Sequence, residues 1–173
     1  MDINGMISTF FGSFEVYARI LIACGYGTVI GLGRKIRHKM AGARTHIIVA
    51  LGSVMTTVVS LYGFAGEGLD ADPSRLASNI ITGVGFLGAG LIFMKGGTIK
   101  GLTTAAGIWT TAAIGIAVGC GMYAESALAT LILAVIQLLP SENKRRAKSL
   151  RKKNKTAEAE EEYEDTEGEF END

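Results

Sequence analysis

No acidic residue occurs between Glu15 and Glu67, and none occurs between Asp72 and Glu125. A soluble chain would scatter carboxylates through such stretches to keep its surface wet. Here 11 of the 17 acids follow Pro140. A charge at the centre of a bilayer helix costs about 2.5–3.5 kcal/mol even on the mildest scales. Long acid-free stretches in a chain that is 48% apolar therefore predict membrane-spanning segments. The formal net charge of zero conceals an apolar body joined to a charged tail.

A spanning helix needs roughly 17–25 mostly apolar residues. Five stretches qualify: 14–32, 45–64, 76–94, 103–120 and 122–139. The fold class is thus all-α, a polytopic membrane protein of about five transmembrane helices. It divides into a transmembrane domain over 1–140 and a charged tail over 141–173, which is expected to be disordered because it lacks an apolar face. The fourth stretch, rich in Thr, Ala and Gly, suits a helix surrounded by protein. The first has no basic leader region and is followed by further apolar segments, so it reads as a span rather than a cleaved signal. Cys24 and Cys120 show no CxxC spacing and read as inert, buried thiols.

The basic residues give an orientation. Arg34, Lys35, Arg37, Lys39 and Arg44 form a basic loop after the first span, Lys95 and Lys100 lie in the third connection, and eight more fall in 144–155. Five spans place all these regions, with 15 of the 17 Lys and Arg, on one side. The positive-inside rule makes that side cytoplasmic, so the expectation is an outside N-terminus and a cytoplasmic C-terminus. Membrane lipids are the first partner implied, since the basic tail segment can meet anionic headgroups. A pure topology signal is the alternative use of the same charges.

Twenty-three glycines in a helical chain imply close helix contacts, because small residues let backbones approach in lipid. Gly27 and Gly31 continue a face begun by Ala23, and Gly107 and Gly115 lie on a face with Thr111 and Gly119 at steps of four. Gly83, Gly85, Gly88 and Gly90 crowd the third span, which suggests close packing or a helix broken along a polar path. Helix starts are expected at Asp72-Pro73-Ser74, at Thr45, and at Thr103 or Thr104.

Glu15 and Arg19 are four apart with the acid first, the favourable orientation for an intrahelical pair. The five-span topology puts Asp72, Arg75, Asn79 and Glu125 at a similar depth near the outer face. These six residues are expected to converge, either as a functional centre or as an ion-pair network fixing helix register. The three carboxylates could serve a cation, but Arg19 and Arg75 oppose it, so the metal question stays open. The run Gly83-Val84-Gly85-Phe86-Leu87-Gly88 spells a dinucleotide motif but lies in an apolar helix with no preceding strand, so it is set aside. No enzyme constellation, cofactor motif or nucleic-acid partner emerges. His38 and His46 bracket the basic loop with no carboxylate or cysteine beside them.

Three stretches carry a family resemblance. They are Ala41-Gly42-Ala43-Arg44-Thr45-His46 with Ala50-Leu51-Gly52-Ser53, then Asp72-Pro73-Ser74-Arg75-Leu76-Ala77 leading into the glycine run at 83–90, then Gly101-Leu102-Thr103-Thr104-Ala105-Ala106 with Ile108-Trp109. In this order they resemble the MgtC/SapB family of bacterial inner-membrane proteins, over about residues 10–140. The resemblance implies a five-helix domain in the bacterial inner (plasma) membrane. It implies a role in magnesium limitation and intracellular survival of pathogens, exercised by inhibiting the F-type ATP synthase rather than by carrying magnesium. Arg19, Arg44, Asp72, Arg75 and the 83–90 run are the positions that carry over. Gly33 stands where relatives commonly have an acid, and the polar tail stands where several relatives have a folded domain.

Two readings follow. One is a regulatory protein that binds another inner-membrane protein or complex. The other is a small transporter or channel for magnesium or another ion, which with five helices would call for a homodimer.

Overall fold

The computed structural model describes residues 3–36, 39–63, 72 and 74–139. Five α-helices make up the body: α1 Ile3–Ile36, α2 Ala43–Val58, α3 Ser74–Gly90, α4 Leu102–Gly119 and α5 Tyr123–Leu138. Val59–Gly63 prolongs α2 as a π-helical turn. The all-α, membrane-spanning architecture read from the sequence is what the structure has. Phe14–Arg34, Ala43–Gly63 and Leu102–Gly119 are long and apolar enough to cross a bilayer, and Tyr123–Leu138 is apolar but shorter.

The helices α1, α2 and α4 pack on one another to form the centre, with α5 against α1 and α4, and α3 chiefly against α4. The expectation that the fourth span is wrapped in protein holds: Leu102–Gly119 is the most buried of the three long spans. The reason lies in its stripe of small residues. A Cβ on Gly115 would fall 2.7 Å from the Ser53 side chain and 2.9 Å from the Ala50 carbonyl, and one on Gly119 would meet Thr57 at 2.6 Å. Gly27 admits the His46 carbonyl in the same way, and Gly31 admits the Ala43 backbone. Ala23, Ala50, Val54, Val58 and Val118 close over these contacts as an apolar core. A second cluster of Ala41, Val84, Ile108 and Ala112 joins α3 to α4.

The third span settles one alternative and departs from expectation in its length. Of the two readings of its glycines, the broken helix is overturned, since the segment is continuous, and close packing holds at Gly88, which meets Ala105; the helix ends at Gly90 instead of Met94. Residues after it form an antiparallel hairpin, β1 Phe93–Lys95 with β2 Thr98–Lys100, in which Met94 faces Ile99. Gly96 and Gly97, at φ 58° and 70°, supply the positive-φ pair that a tight hairpin turn needs. Gly101 then starts α4 at φ 91°, pressed against the Leu91 carbonyl, where no side chain fits.

Helix starts also differ in detail. Neither Thr45 nor Thr103 caps; α2 begins after Gly42 and α4 after Gly101, without side-chain caps. Asp72 does cap α3, accepting from the Ser74 N–H at 2.9 Å and the Ser74 hydroxyl at 2.8 Å. Cys24 is half-buried and Cys120 is exposed, so only the first fits the buried-thiol reading. Arg37, His38 and the tail lie outside the described residues, as does the side chain of Lys35.

Candidate functional site

Two arginines on α1 organise the polar interior. Arg19 and Arg34 are 6% and 3% exposed, and the helix between them is about 22 Å long at 1.5 Å per residue. They mark opposite ends of the α1–α2–α4 centre.

At the first end, Arg19 Nη2 donates to Glu15 Oε1 at 2.6 Å and Nη1 donates to the Gly119 carbonyl at 2.5 Å. Gly119 ends α4, and the last carbonyls of a helix have no partner within it. A cation there is favoured by the helix dipole. The Tyr62 ring lies against the guanidinium, 5.5 Å from its centroid, and Tyr123 makes further polar contact with the pair. Arg19 therefore binds α1 to the end of α4 and to the end of the α2 extension.

The six residues expected to converge here do not do so. Glu15 and Arg19 meet. Asp72 is engaged locally with Ser74, and Arg75, Asn79 and Glu125 are exposed. Among the described residues none of these four forms an ion pair with Arg19 or Glu15. For Asp72, Arg75 and Asn79 the physical cause is the placement of α3, which packs on α4 rather than on α1; Glu125 lies on α5, which does pack on α1, but its side chain is on the exposed face. Outside the spans, the Ser74 hydroxyl and N–H hold the Asp72 carboxyl below its ordinary value, with nearby Arg75 adding to the effect.

The second end holds groups that the sequence reading placed elsewhere. Arg34 was expected in a solvated basic loop. It lies instead in the last turns of α1, where Nε donates to the Ala41 carbonyl at 2.9 Å and Nη2 to Thr104 Oγ1 at 2.5 Å. Lys39 and Arg44 are exposed, as a basic loop requires. His46, which looked like a loop-edge residue, is fully buried on α2 with Nδ1 2.7 Å from Thr111 Oγ1. Thr111 already gives its one hydroxyl proton to the Gly107 carbonyl at 2.8 Å, so it must accept from His46 Nδ1–H. That assigns the tautomer and leaves a lone pair on Nε2. His46 Nε2 and both amide atoms of Gln137 are buried without a hydrogen-bond partner. A Cβ on Gly107 would fall 3.0 Å from Gln137 Nε2, 3.8 Å from Arg34 Nη1 and 3.8 Å from His46 Cε1.

A signal for His46 existed. It shares a helical phase with Ala50, Ser53 and Thr57, all buried on α2. The glycines divide as well. Gly27, Gly31, Gly88, Gly107 and Gly115 lie at helix contacts, whereas Gly83, Gly85 and Gly90 face open space within the protomer. Among the described residues no three His, Cys, Asp or Glu gather to hold a metal.

Comparison with known proteins gives a consistent result. The MgtC family model matches residues 20–146. The chain is 47% identical over 126 residues to the protein named putative magnesium transporter YhiD of Escherichia coli, covering 68% of this chain and 57% of that protein. It is 41% identical over 113 residues to protein MgtC of Brucella abortus, covering 65% of this chain and 46% of that one. The chain thus spans about half the length of the curated relatives it matches. No solved structure matches it.

Proposed function

The chain belongs to the MgtC family, and from that premise we propose that it is a regulatory protein of the bacterial inner membrane, acting by binding another membrane complex under magnesium limitation. The F-type ATP synthase is the proposed partner, following the family resemblance.

One observation carries the choice of regulation over transport. The polar groups at the two ends are separated by an apolar partition: Ala23, Ala50 and Val118 are 0% exposed, and Gly115 and Gly27 press against α2 backbone between them. Among the described residues, the bonds of Thr57, Thr111 and Thr130 do not span that zone. Thr57 bonds the Ser53 carbonyl and Thr130 the Ser126 carbonyl, each inside its own helix, and Thr111, which joins His46 across α2 and α4, stays at the Arg34 end. A polar path within one protomer would need such groups turned toward one another. The exposed glycines of α3 suit the regulatory reading, because a smooth face lets a partner helix approach closely.

The test is ATP-driven proton pumping in inverted membrane vesicles. The proposal expects vesicles that contain the protein to pump more slowly than vesicles without it at equal ATP synthase content. Unchanged pumping contradicts the choice of partner.

The second reading is a small transporter or channel for magnesium or another ion, of which magnesium transport is the activity that the E. coli relative is named for. The same open face of α3 supports it, since two copies meeting there could enclose a pathway that one copy lacks.

A further inference from the structure

We propose that Arg34, His46 and Gln137 form a buried site for a compact, singly charged oxyanion that carries a proton, of the bicarbonate or dihydrogen phosphate type.

Four helices bring the groups together: Arg34 from α1, His46 from α2, Gly107 and Thr104 from α4, and Gln137 from α5. Gly107 has no side chain, and Gln137 Nε2, Arg34 Nη1 and His46 Cε1 all lie within 3.8 Å of where its Cβ would be. Side chains of three other helices therefore meet at this one point.

The charge balance asks for an anion. Arg34 is 3% exposed and, among the described residues, pairs with no carboxylate. Its neighbour Gly33 brings no acid. A buried cation without a counter-charge is unfavourable unless something negative joins it. Two helix N-termini lie here, with His46 in the first turn of α2 and Thr104 in the first turn of α4, beside the C-terminal turns of α1 and α5 that carry Arg34 and Gln137.

The hydrogen-bond inventory narrows the anion. Gln137 Nε2 is an unsatisfied donor, while Gln137 Oε1 and His46 Nε2 are unsatisfied acceptors. A halide answers only the donor and the Arg34 charge. An oxyanion with an O–H answers both kinds: its oxygens accept from Arg34 and Gln137, and its O–H donates to His46 Nε2 or Gln137 Oε1. Buried polar atoms in native proteins are almost always satisfied, so the unpartnered His46 ring nitrogen and Gln137 amide, both beside Gly107, mark a place where something binds.

The experiment is thermal unfolding of the purified full chain in detergent, at fixed ionic strength, in sodium bicarbonate, sodium phosphate, sodium chloride or sodium gluconate. The proposal expects bicarbonate or phosphate to raise Tm saturably over gluconate, by roughly 3–5 °C well above the dissociation constant. Chloride should do much less. Gln137→Leu removes a donor and an acceptor, and Gly107→Ala fills the point of convergence, moving only the end of the Gln137 side chain. Both variants should lose the oxyanion increment while still unfolding cooperatively. Equal Tm in all four salts overturns the proposal and leaves water as the occupant. An equal effect of chloride overturns the proton-bearing class. An increment that survives in both variants places the binding elsewhere and overturns the site.

Discussion

Arg19 on α1 donates from Nη1 to the carbonyl of Gly119, the last residue of α4, at 2.5 Å. The bond closes the Glu15 end of the bundle across a hundred residues of chain. It uses a carbonyl that the helix itself cannot satisfy.

Replacing Arg19 by Leu leaves that buried carbonyl without a donor. The expected loss is about 1–3 kcal/mol, the range for orphaning a buried polar group. Reversible unfolding of the purified protein in mixed micelles would measure it. Glu15→Gln should have a smaller effect, because Glu15 is largely exposed and water can replace its partner.

Gly31 and Gly83 should respond in opposite senses to the same change. A Cβ at Gly31 would overlap the Ala43 backbone, which cannot yield, so Gly31→Ala is expected to lower stability by about 1–3 kcal/mol. Gly83 has nothing within 4 Å of that position. Gly83→Ala is expected to raise stability by up to about 0.8–1 kcal/mol through helix propensity. Comparing the two Tm values separates packing glycines from glycines kept for a partner.

Thr111→Val removes the acceptor for His46 Nδ1 while nearly preserving shape. A buried ring nitrogen then joins Nε2 in lacking a partner, and the expected loss is about 1–3 kcal/mol. Imidazole resonances in an NMR spectrum should also shift, because the tautomer is no longer fixed by Thr111.

Asp72 gives a pH dependence with a definite sign. Its carboxyl is held below the ordinary value by the two bonds from Ser74. A carboxyl depressed in the folded state adds stability that is full above its unfolded pKa and is lost as pH falls through its folded pKa. Asp72→Ala should therefore be less stable than wild type at neutral pH, with the gap closing in acid. Thermal unfolding of both proteins across that range checks it.

The sequence showed the number of helices and the small-residue faces of the first and fourth spans, because charge segregation and four-residue spacing both follow from burial in lipid. It also showed the Glu15–Arg19 pair, which is local to one helix. It did not show where α3 packs. Depth along a helix can be read from topology, but which neighbour a helix chooses and which face it turns inward cannot, and so Asp72, Arg75 and Asn79 on α3 and the outward-facing Glu125 on α5 were placed beside Arg19 without reaching it. Arg34 was misplaced for a related reason. Five basic residues in eleven positions look like a loop, and only the turn of the chain at Ala41 shows that one of them points inward. Gln137 gave no signal at all, since a lone amide in an apolar helix fits a lipid-facing edge equally well.

The central claim is that this protein acts by contact with another membrane complex and not as a conduit within one protomer. The most direct measurement is flux in sealed proteoliposomes holding the purified protein, read with a magnesium-sensitive and a proton-sensitive dye, with Arg19→Leu in parallel. The apolar partition at Ala23, Ala50 and Val118 predicts no flux of either ion above protein-free liposomes. Flux that wild type supports and Arg19→Leu abolishes would contradict the account and make the Arg19 end the mouth of a pathway.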